Sequence, residues 1–311
     1  MTKQNDLVSV IIRTKDRPNF LQRAIDSVCS QDYNNIELII INDGGCEVVD
    51  IINHYKSVFK NVPGCSVKRD FIYVKNAVSV MRNNAANIGL QSAKGKYICL
   101  LDDDDYFYSQ HLSKHVDTQN KKGCLWSISR SFESIENENG VEKVKKYNYP
   151  SDFNKIKFYF FENYFPSNSI VFQKKLIDEV GLFDKNLQVL EDWDLWIRMY
   201  METEPCLIDE ITSVYTTRNG ASNVRMSFEA KGLWKDAFKR VMEKYKEIYN
   251  DKKVNIPLSE IDDFLSSHAV DWYCLTKENE ELIDSLAYKI YRSKPYRWLK
   301  KIGRIFRATR G

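Results

Sequence analysis

Apolar residues gather into short unbroken runs early in the chain, and each run stops at a polar or acidic cluster. Leu7-Val8-Ser9-Val10-Ile11-Ile12 and Ile36-Glu37-Leu38-Ile39-Ile40-Ile41 are rich in β-branched residues and nearly continuous in apolar character. That pattern predicts strands buried on both faces of a parallel sheet. The second run ends in Asn42-Asp43-Gly44-Gly45, a strong turn signal. Between the two, Pro18 can open a helix, and Phe20, Leu21, Ala24, Ile25 and Val28 recur at helical spacing. A weaker strand is expected over 70–74, a helix over 80–93 closed by Gly95, and a further strand up to residue 101. This alternation predicts an α/β fold with crossover helices on a parallel sheet. Beyond Cys124 the pattern is less regular. Residues 133–146 read as a hairpin or mobile loop, 170–172 as a short strand, and 174–180 as a short helix ended by Gly181. Residues 190–199 read as a helix whose first turn carries Glu191, Asp192 and Asp194, and from about residue 226 the chain reads as polar and helical.

The strand over 97–101 runs straight into Asp102-Asp103-Asp104-Asp105. In an extended chain alternate side chains share a face, so Asp102 and Asp104 are expected to point the same way. Carboxylates that close repel one another unless a cation sits between them. The ends of strands are also where open α/β sheets bind ligands. A divalent metal holding a phosphorylated ligand explains the tetrad; a solvated acidic turn is the plainer alternative.

Composition narrows the class. The chain has 311 residues, 43% hydrophobic and 29% charged, with room for one large α/β domain and an appendage or for two modest domains. No apolar stretch approaches the roughly 20 residues that span a bilayer. The N-terminus leads directly into a strand without a secretory apolar segment, which predicts a cytoplasmic protein. The seven cysteines are scattered and never in CxxC spacing, and are expected to be reduced thiols without a zinc site or disulfide framework. The net charge of +3 hides nine basic and no acidic residues between Lys289 and Arg310, so the rest of the chain is net negative. This argues against a nucleic-acid-binding globular face.

Several segments in order resemble the family-2 glycosyltransferases of GT-A fold, of the kind that builds bacterial surface polysaccharides. They are Val10-Ile11-Ile12-Arg13-Thr14-Lys15-Asp16-Arg17, Ile39-Ile40-Ile41-Asn42-Asp43-Gly44, Asn87-Ile88-Gly89-Leu90 with Ala93-Lys94-Gly95-Lys96-Tyr97-Ile98, Leu101 with the acidic tetrad, Gly181-Leu182-Phe183-Asp184, and Glu191-Asp192-Trp193-Asp194-Leu195-Trp196-Ile197-Arg198. The resemblance covers roughly residues 7–220 and implies a Rossmann-like, mostly parallel central sheet with flanking helices. It divides the chain into a nucleotide-sugar-binding half (1–125), an acceptor-binding half (126–225) and a helical C-terminal extension (226–311).

The resemblance implies a donor site of Thr14, Asp16, Arg17, Asp43, Arg82, Asn87, Asp102, Asp103 and Arg218. Asp104 is implied as ligand of Mn²⁺ or Mg²⁺, with Asp103 and Asp105 as substitutes because an unbroken tetrad leaves the register open. Asp192 is implied as the catalytic base of an inverting transfer, and Glu191 and Trp193 as acceptor contacts, with Trp196 read as core. The arginine that often precedes the family's asparagine is Ala86 here, and Arg82 lies one helical turn earlier. Tyr215-Thr216-Thr217-Arg218-Asn219-Gly220-Ala221-Ser222 is similar to the family's flexible loop over the donor. No Gln-x-x-Arg-Trp follows the Glu-Asp pair, which implies transfer of a single sugar, from a UDP-sugar most readily, to a saccharide acceptor.

Residues 295–307 place Trp298, Leu299, Ile302, Ile305 and Phe306 against Arg297, Lys300, Lys301, Arg304 and Arg307. This is the composition of an interfacial helix on an anionic inner leaflet, with a solvated helix or partner-binding segment as alternatives. Peripheral attachment would suit an acceptor carried on a polyprenyl diphosphate or a lipopolysaccharide intermediate. A sugar nucleotidyltransferase is the rival enzyme, but residues 14–18 lack its glycine-rich phosphate loop. A non-catalytic metal- or carbohydrate-binding module is the rival outside enzymes; an EF-hand is excluded because Tyr106 and Ser113 stand where ligands are needed.

Overall fold

A computed structural model describes residues 6–60, 69–137, 140–146, 163 and 165–218, with isolated residues at 158, 236, 237, 240, 241, 244 and 245. Compactness divides the chain into one unit of 1–153 with 163–237 and a second of 154–162 with 238–311. The expected basic tail, and nearly all of the extension from residue 226, lie outside the described residues.

The first half alternates strand and helix: β1 (Val8–Thr14), α1 (Pro18–Cys29), β2 (Ile36–Asn42), α2 (Val49–Lys60), β3 (Asp70–Lys75), α3 (Arg82–Ser92) and β4 (Tyr97–Asp102). Strands β3, β2, β1 and β4 lie side by side, all parallel. Every residue of β1 and β2 is buried, which is why their sequences lack the alternation of a half-exposed strand. The core against α1 and α2 is built from Val10, Ile12, Leu38, Ile40, Leu21, Ile25 and Phe59. Helix α3 lies so close to β1 that a side chain at Gly89 would meet Ile11 Cγ2 at 2.4 Å.

The second half continues the sheet with mixed pairing. It runs through β5 (Tyr106–Phe107), α4 (His111–Lys122), β6 (Trp126–Asn137), β7 (Gly140–Lys146), a 3₁₀ turn (Ser167–Ser169), β8 (Ile170–Gln173), α5 (Lys174–Val180), α6 (Glu191–Glu202) and β9 (Cys206–Arg218). The order beyond β4 is β8, β6, β9, β5, with β7 paired to β6 as the expected hairpin. Helix α4 ends at Gly123, whose φ of 72° lets its N–H reach back to Gln119.

Two expectations are corrected here. Residues 215–218 are not loop: they are the end of β9, hydrogen-bonded in parallel to β6. Residues 219–222 and the Arg218 side chain lie outside the described residues. The cysteines are not all free thiols, because Cys124 and Cys206 form a disulfide with Cα atoms 6.1 Å apart. The parallel register sets Ser127 opposite Cys206, which brings Cys124 alongside. A separation of 82 residues conceals such a pair from any local spacing rule.

Candidate active site

The site lies where β1, β2 and β4 end together. Arg13 is opposite Asp102 in the parallel register, and the Asp43 N–H donates to the Thr14 carbonyl at 2.9 Å. β4 stops at Asp102 and the chain turns at once, with the Asp105 N–H donating to the Asp102 carbonyl at 3.0 Å. The expected alternation persists through that turn, with Asp102 and Asp104 partly exposed and Asp103 and Asp105 buried.

Asp102 pairs with Arg13 and with Arg82 Nη2 at 3.4 Å. Burial pushes its carboxyl up, but the two guanidinium groups prevail and hold it at about 2. Asp103 accepts from Thr14 Oγ1 at 2.7 Å and lies 2.9 Å from Arg17 Nη2, an ion pair close in space but not aligned as a hydrogen bond. Its carboxyl is pushed up to about 7, by burial first, against Arg17. Asp104 takes Arg17 Nη1 at 2.8 Å. Asp105 is buried, accepts the Thr216 N–H at 2.8 Å and titrates well above the usual range, chiefly from burial. Asp102 and Asp104 keep 29% and 17% of their side chains exposed, whereas Asp103 keeps none. Asp103 is a buried brace, not a donor contact.

A ring of four charges joins the acidic loop to α6. Arg13 Nε donates to Asp102 at 3.1 Å, and its Nη1 lies 3.6 Å from Glu191 Oε1. Arg82 Nε lies 2.7 Å from the same oxygen and reaches Asp102 with Nη2. Glu191, expected to touch the acceptor, is 2% exposed and locked beneath these arginines. Burial raises its carboxyl above the usual range while Arg82 opposes. Arg82 in turn is held charged by Glu191 first, against its partial burial, with Asp102, Asp192 and Asp104 adding. One guanidinium therefore feels carboxylates from both the β4 end and the α6 start. Asp192 is half-buried, accepts the Trp193 N–H at 2.8 Å, and lies 3.5 Å from Ser167 Oγ. Trp193, expected to stack on a sugar, is fully buried in the core together with Trp196.

The backbone is bent to aim these groups. Among the described residues, the non-glycine positions with positive φ are Asp16, Met81 and Leu190. They immediately precede Arg17, Arg82 and Glu191, so three uncommon conformations, each costing about 1–3 kcal/mol, direct three of the site's charges.

The remaining expected residues also make hydrogen bonds within the fold. Asp43 accepts from Asn76 Nδ2 (2.8 Å), Ser79 Oγ (2.7 Å) and the Val80 N–H (2.8 Å). Burial works to raise its carboxyl, but these donors hold it below the usual range. Asp16 accepts the Cys46 N–H at 2.7 Å, joining the loops after β1 and β2. Asn87, expected at the donor, is buried, and its amide is engaged at both ends by the Phe183 backbone at 3.0 and 2.9 Å. Asn87→Ala is accordingly expected to lower the unfolding free energy by about 1–3 kcal/mol, read by chemical denaturation, and to leave nucleotide affinity unchanged.

Sequence reasoning passed over Arg13 and Arg23. A charged residue inside an otherwise apolar strand is the signal for Arg13. Arg23 carries no such signal, yet it reaches Glu136 Oε1 at 2.8 Å, Thr216 Oγ1 at 3.3 Å and the Asp104 carbonyl, strapping the acidic loop to β6 and β9.

As a cation site, the exposed carboxylates of Asp104 and Asp102 offer hard oxygen donors. They suit Mg²⁺ or Mn²⁺, ions that take few protein ligands and fill their shell with water and phosphate oxygens. Among the described residues no group of three or more His, Cys, Asp and Glu side chains gathers as a cage.

The sequence matches the family described as glycosyl transferase family 2 over residues 9–181. It is 25% identical over 254 residues to an uncharacterized glycosyltransferase, RP339, of Rickettsia prowazekii, covering 77% of this chain and 74% of that one. It is 24% identical over 251 residues to a putative colanic acid biosynthesis glycosyl transferase, WcaA, of Escherichia coli, covering 78% and 86%. In structure it is similar to TarS of S. aureus, with a TM-score of 0.58 at 15% identity, over 85% of this chain and 43% of that one. TarS 1-349 in complex with UDP-GlcNAc matches at a TM-score of 0.54 and 12% identity, over 91% and 82%. These likenesses establish the GT-A fold.

Proposed function

The chain belongs to glycosyl transferase family 2, and from that premise we propose an inverting, divalent-metal-dependent transfer of one sugar from a UDP-sugar to a hydroxyl of a saccharide acceptor. The observation that carries this reading is the placement of Arg82. It joins Asp102, at the end of β4, to Glu191, the neighbour of Asp192. A donor's diphosphate and an acceptor's hydroxyl need such adjacency.

Asp192 takes the proton from the acceptor hydroxyl as that oxygen attacks the anomeric carbon from the face opposite the leaving group. Arg82, 44% exposed, is the ring member free to turn its outer edge to phosphate oxygens, which its planar fork matches. Asp43 retains acceptor capacity beyond its three donors for a nucleoside hydroxyl or imide N–H. Asp104, with Asp102 beside it, is the ligand for Mn²⁺ or Mg²⁺. When bound, the ion supplies Lewis-acid neutralisation of the departing nucleoside diphosphate.

The solved complex of TarS with UDP-GlcNAc supports a UDP-sugar donor, and the colanic acid assignment of WcaA supports a polysaccharide acceptor. Among the described residues no helix is long and apolar enough to cross a membrane. A cytoplasmic enzyme held at the inner leaflet by its basic C-terminal segment, acting on a lipid-linked intermediate, is part of the same proposal. The test is a screen of nucleotide sugars with and without Mn²⁺, reading nucleoside diphosphate release. Turnover of one UDP-sugar, dependent on the ion, is expected. Asp104→Ala should weaken donor binding at least about tenfold, a contact worth ~1.4 kcal/mol. Release independent of metal, or of Asp104, refutes the assignment.

A further inference from the structure

Arg17 closes the acidic loop from above. It is the residue before α1, aimed by the positive φ of Asp16, with 35% of its side chain exposed. Its two terminal nitrogens divide between neighbours, Nη2 on Asp103 at 2.9 Å and Nη1 on Asp104 Oδ2 at 2.8 Å. Asp103 has a second support in Thr14 and is sealed from solvent; Asp104 is open to it. The guanidinium therefore holds one carboxylate that stays in place and one that faces an incoming ligand.

We propose that Arg17 is a built-in counter-ion of the acidic loop, and that a divalent cation loads onto Asp104 by exchange, displacing Nη1 while Nη2 remains with Asp103. The inference rests on the metal-dependent reading above and goes beyond it by assigning a competitor. Without a positive charge beside them, Asp103 and Asp104 would repel each other across the turn. The ion pair therefore keeps the loop shaped before the cation arrives, and it also opposes the cation. The Asp104 arm is the one solvent reaches, so an incoming cation can displace it there, whereas Asp103 is sealed from solvent and also held by Thr14.

The sign of the effect is the test. A residue that helps to hold the cation would weaken metal binding when removed, whereas a competitor strengthens it. Mn²⁺ alone is titrated into the full chain without nucleotide, and free Mn²⁺ is read by electron paramagnetic resonance. Arg17→Met is expected to bind Mn²⁺ about tenfold more tightly than the wild type, ~1.4 kcal/mol. Arg17→Lys, a point charge able to serve one carboxylate at a time, should fall between them. Asp104→Asn should abolish the gain in the Arg17→Met background.

Thermal unfolding provides a second readout. The melting temperature of Arg17→Met should rise more on adding Mn²⁺ than that of the wild type, as linkage to tighter binding requires. Equal or weaker Mn²⁺ binding by Arg17→Met and Arg17→Lys, with the wild type binding normally, overturns the role of Arg17 and leaves the metal reading intact. Failure of both wild type and variants to take Mn²⁺ overturns both. A gain that survives Asp104→Asn overturns the exchange, because the ion then sits elsewhere.

Discussion

Asp192→Asn is expected to lower turnover by about 10²–10⁴-fold, the typical contribution of a positioned general base. Nucleotide affinity should stay within a factor of about three, because Asp192 sits at the start of α6 and the donor groups sit at the ends of β1, β2 and β4. The amide is isosteric, so it can still accept the Trp193 N–H that now orients the carboxylate at 2.8 Å. Loss of the rate with binding and folding retained marks a proton acceptor. A variant that turns over normally removes Asp192 from the mechanism. Measuring nucleoside diphosphate release beside calorimetric binding of UDP separates these results.

Arg13→Met should have the largest effect on stability, a loss of about 3 kcal/mol or more by chemical denaturation. Arg13 is 8% exposed and serves Asp102, Glu191 and the Arg82 carbonyl together. Methionine fills much of the volume but leaves two carboxylates to one half-exposed arginine, and an uncompensated buried charge is the costly outcome. Arg13→Met combined with Glu191→Gln should regain part of the loss, because one of the stranded charges is gone. If the double variant is as unstable as the sum of the singles, the ring is not an energetic unit.

The strands written in continuous apolar character, β1, β2 and β4, were legible, as were α1 by its amphipathic spacing and α6 by its acidic first turn. Parallel strands buried on both faces advertise themselves in this way, and Gly181 announced the end of α5 for the same local reason. Strand β9 was not legible, since its pairing with β6 comes from a distant part of the chain and its last residues resemble a polar loop. The groups gathered at the candidate site were legible as residue types, but their partners were not. Asn87 looked like a ligand contact and is a backbone clamp on Phe183. Trp193 looked like a sugar platform and is core, because the acidic first turn of α6 says nothing about which way its next residue packs.

Local sequence was enough to set where β1, β2 and β4 stop and which chemistry stands at their ends. A strand buried on both faces of a parallel sheet is largely apolar, and the polar and acidic clusters mark where that burial ends. The assignment of partners within that chemistry came from long-range packing. The turn after Asp102 exposed Asp104 and buried Asp103; the approach of α3 and α6 locked Glu191 under Arg13 and Arg82; and the β6–β9 register joined Cys124 to Cys206. These outcomes depend on groups brought together from distant segments, and a side chain's burial and charge environment do not exist until those segments meet.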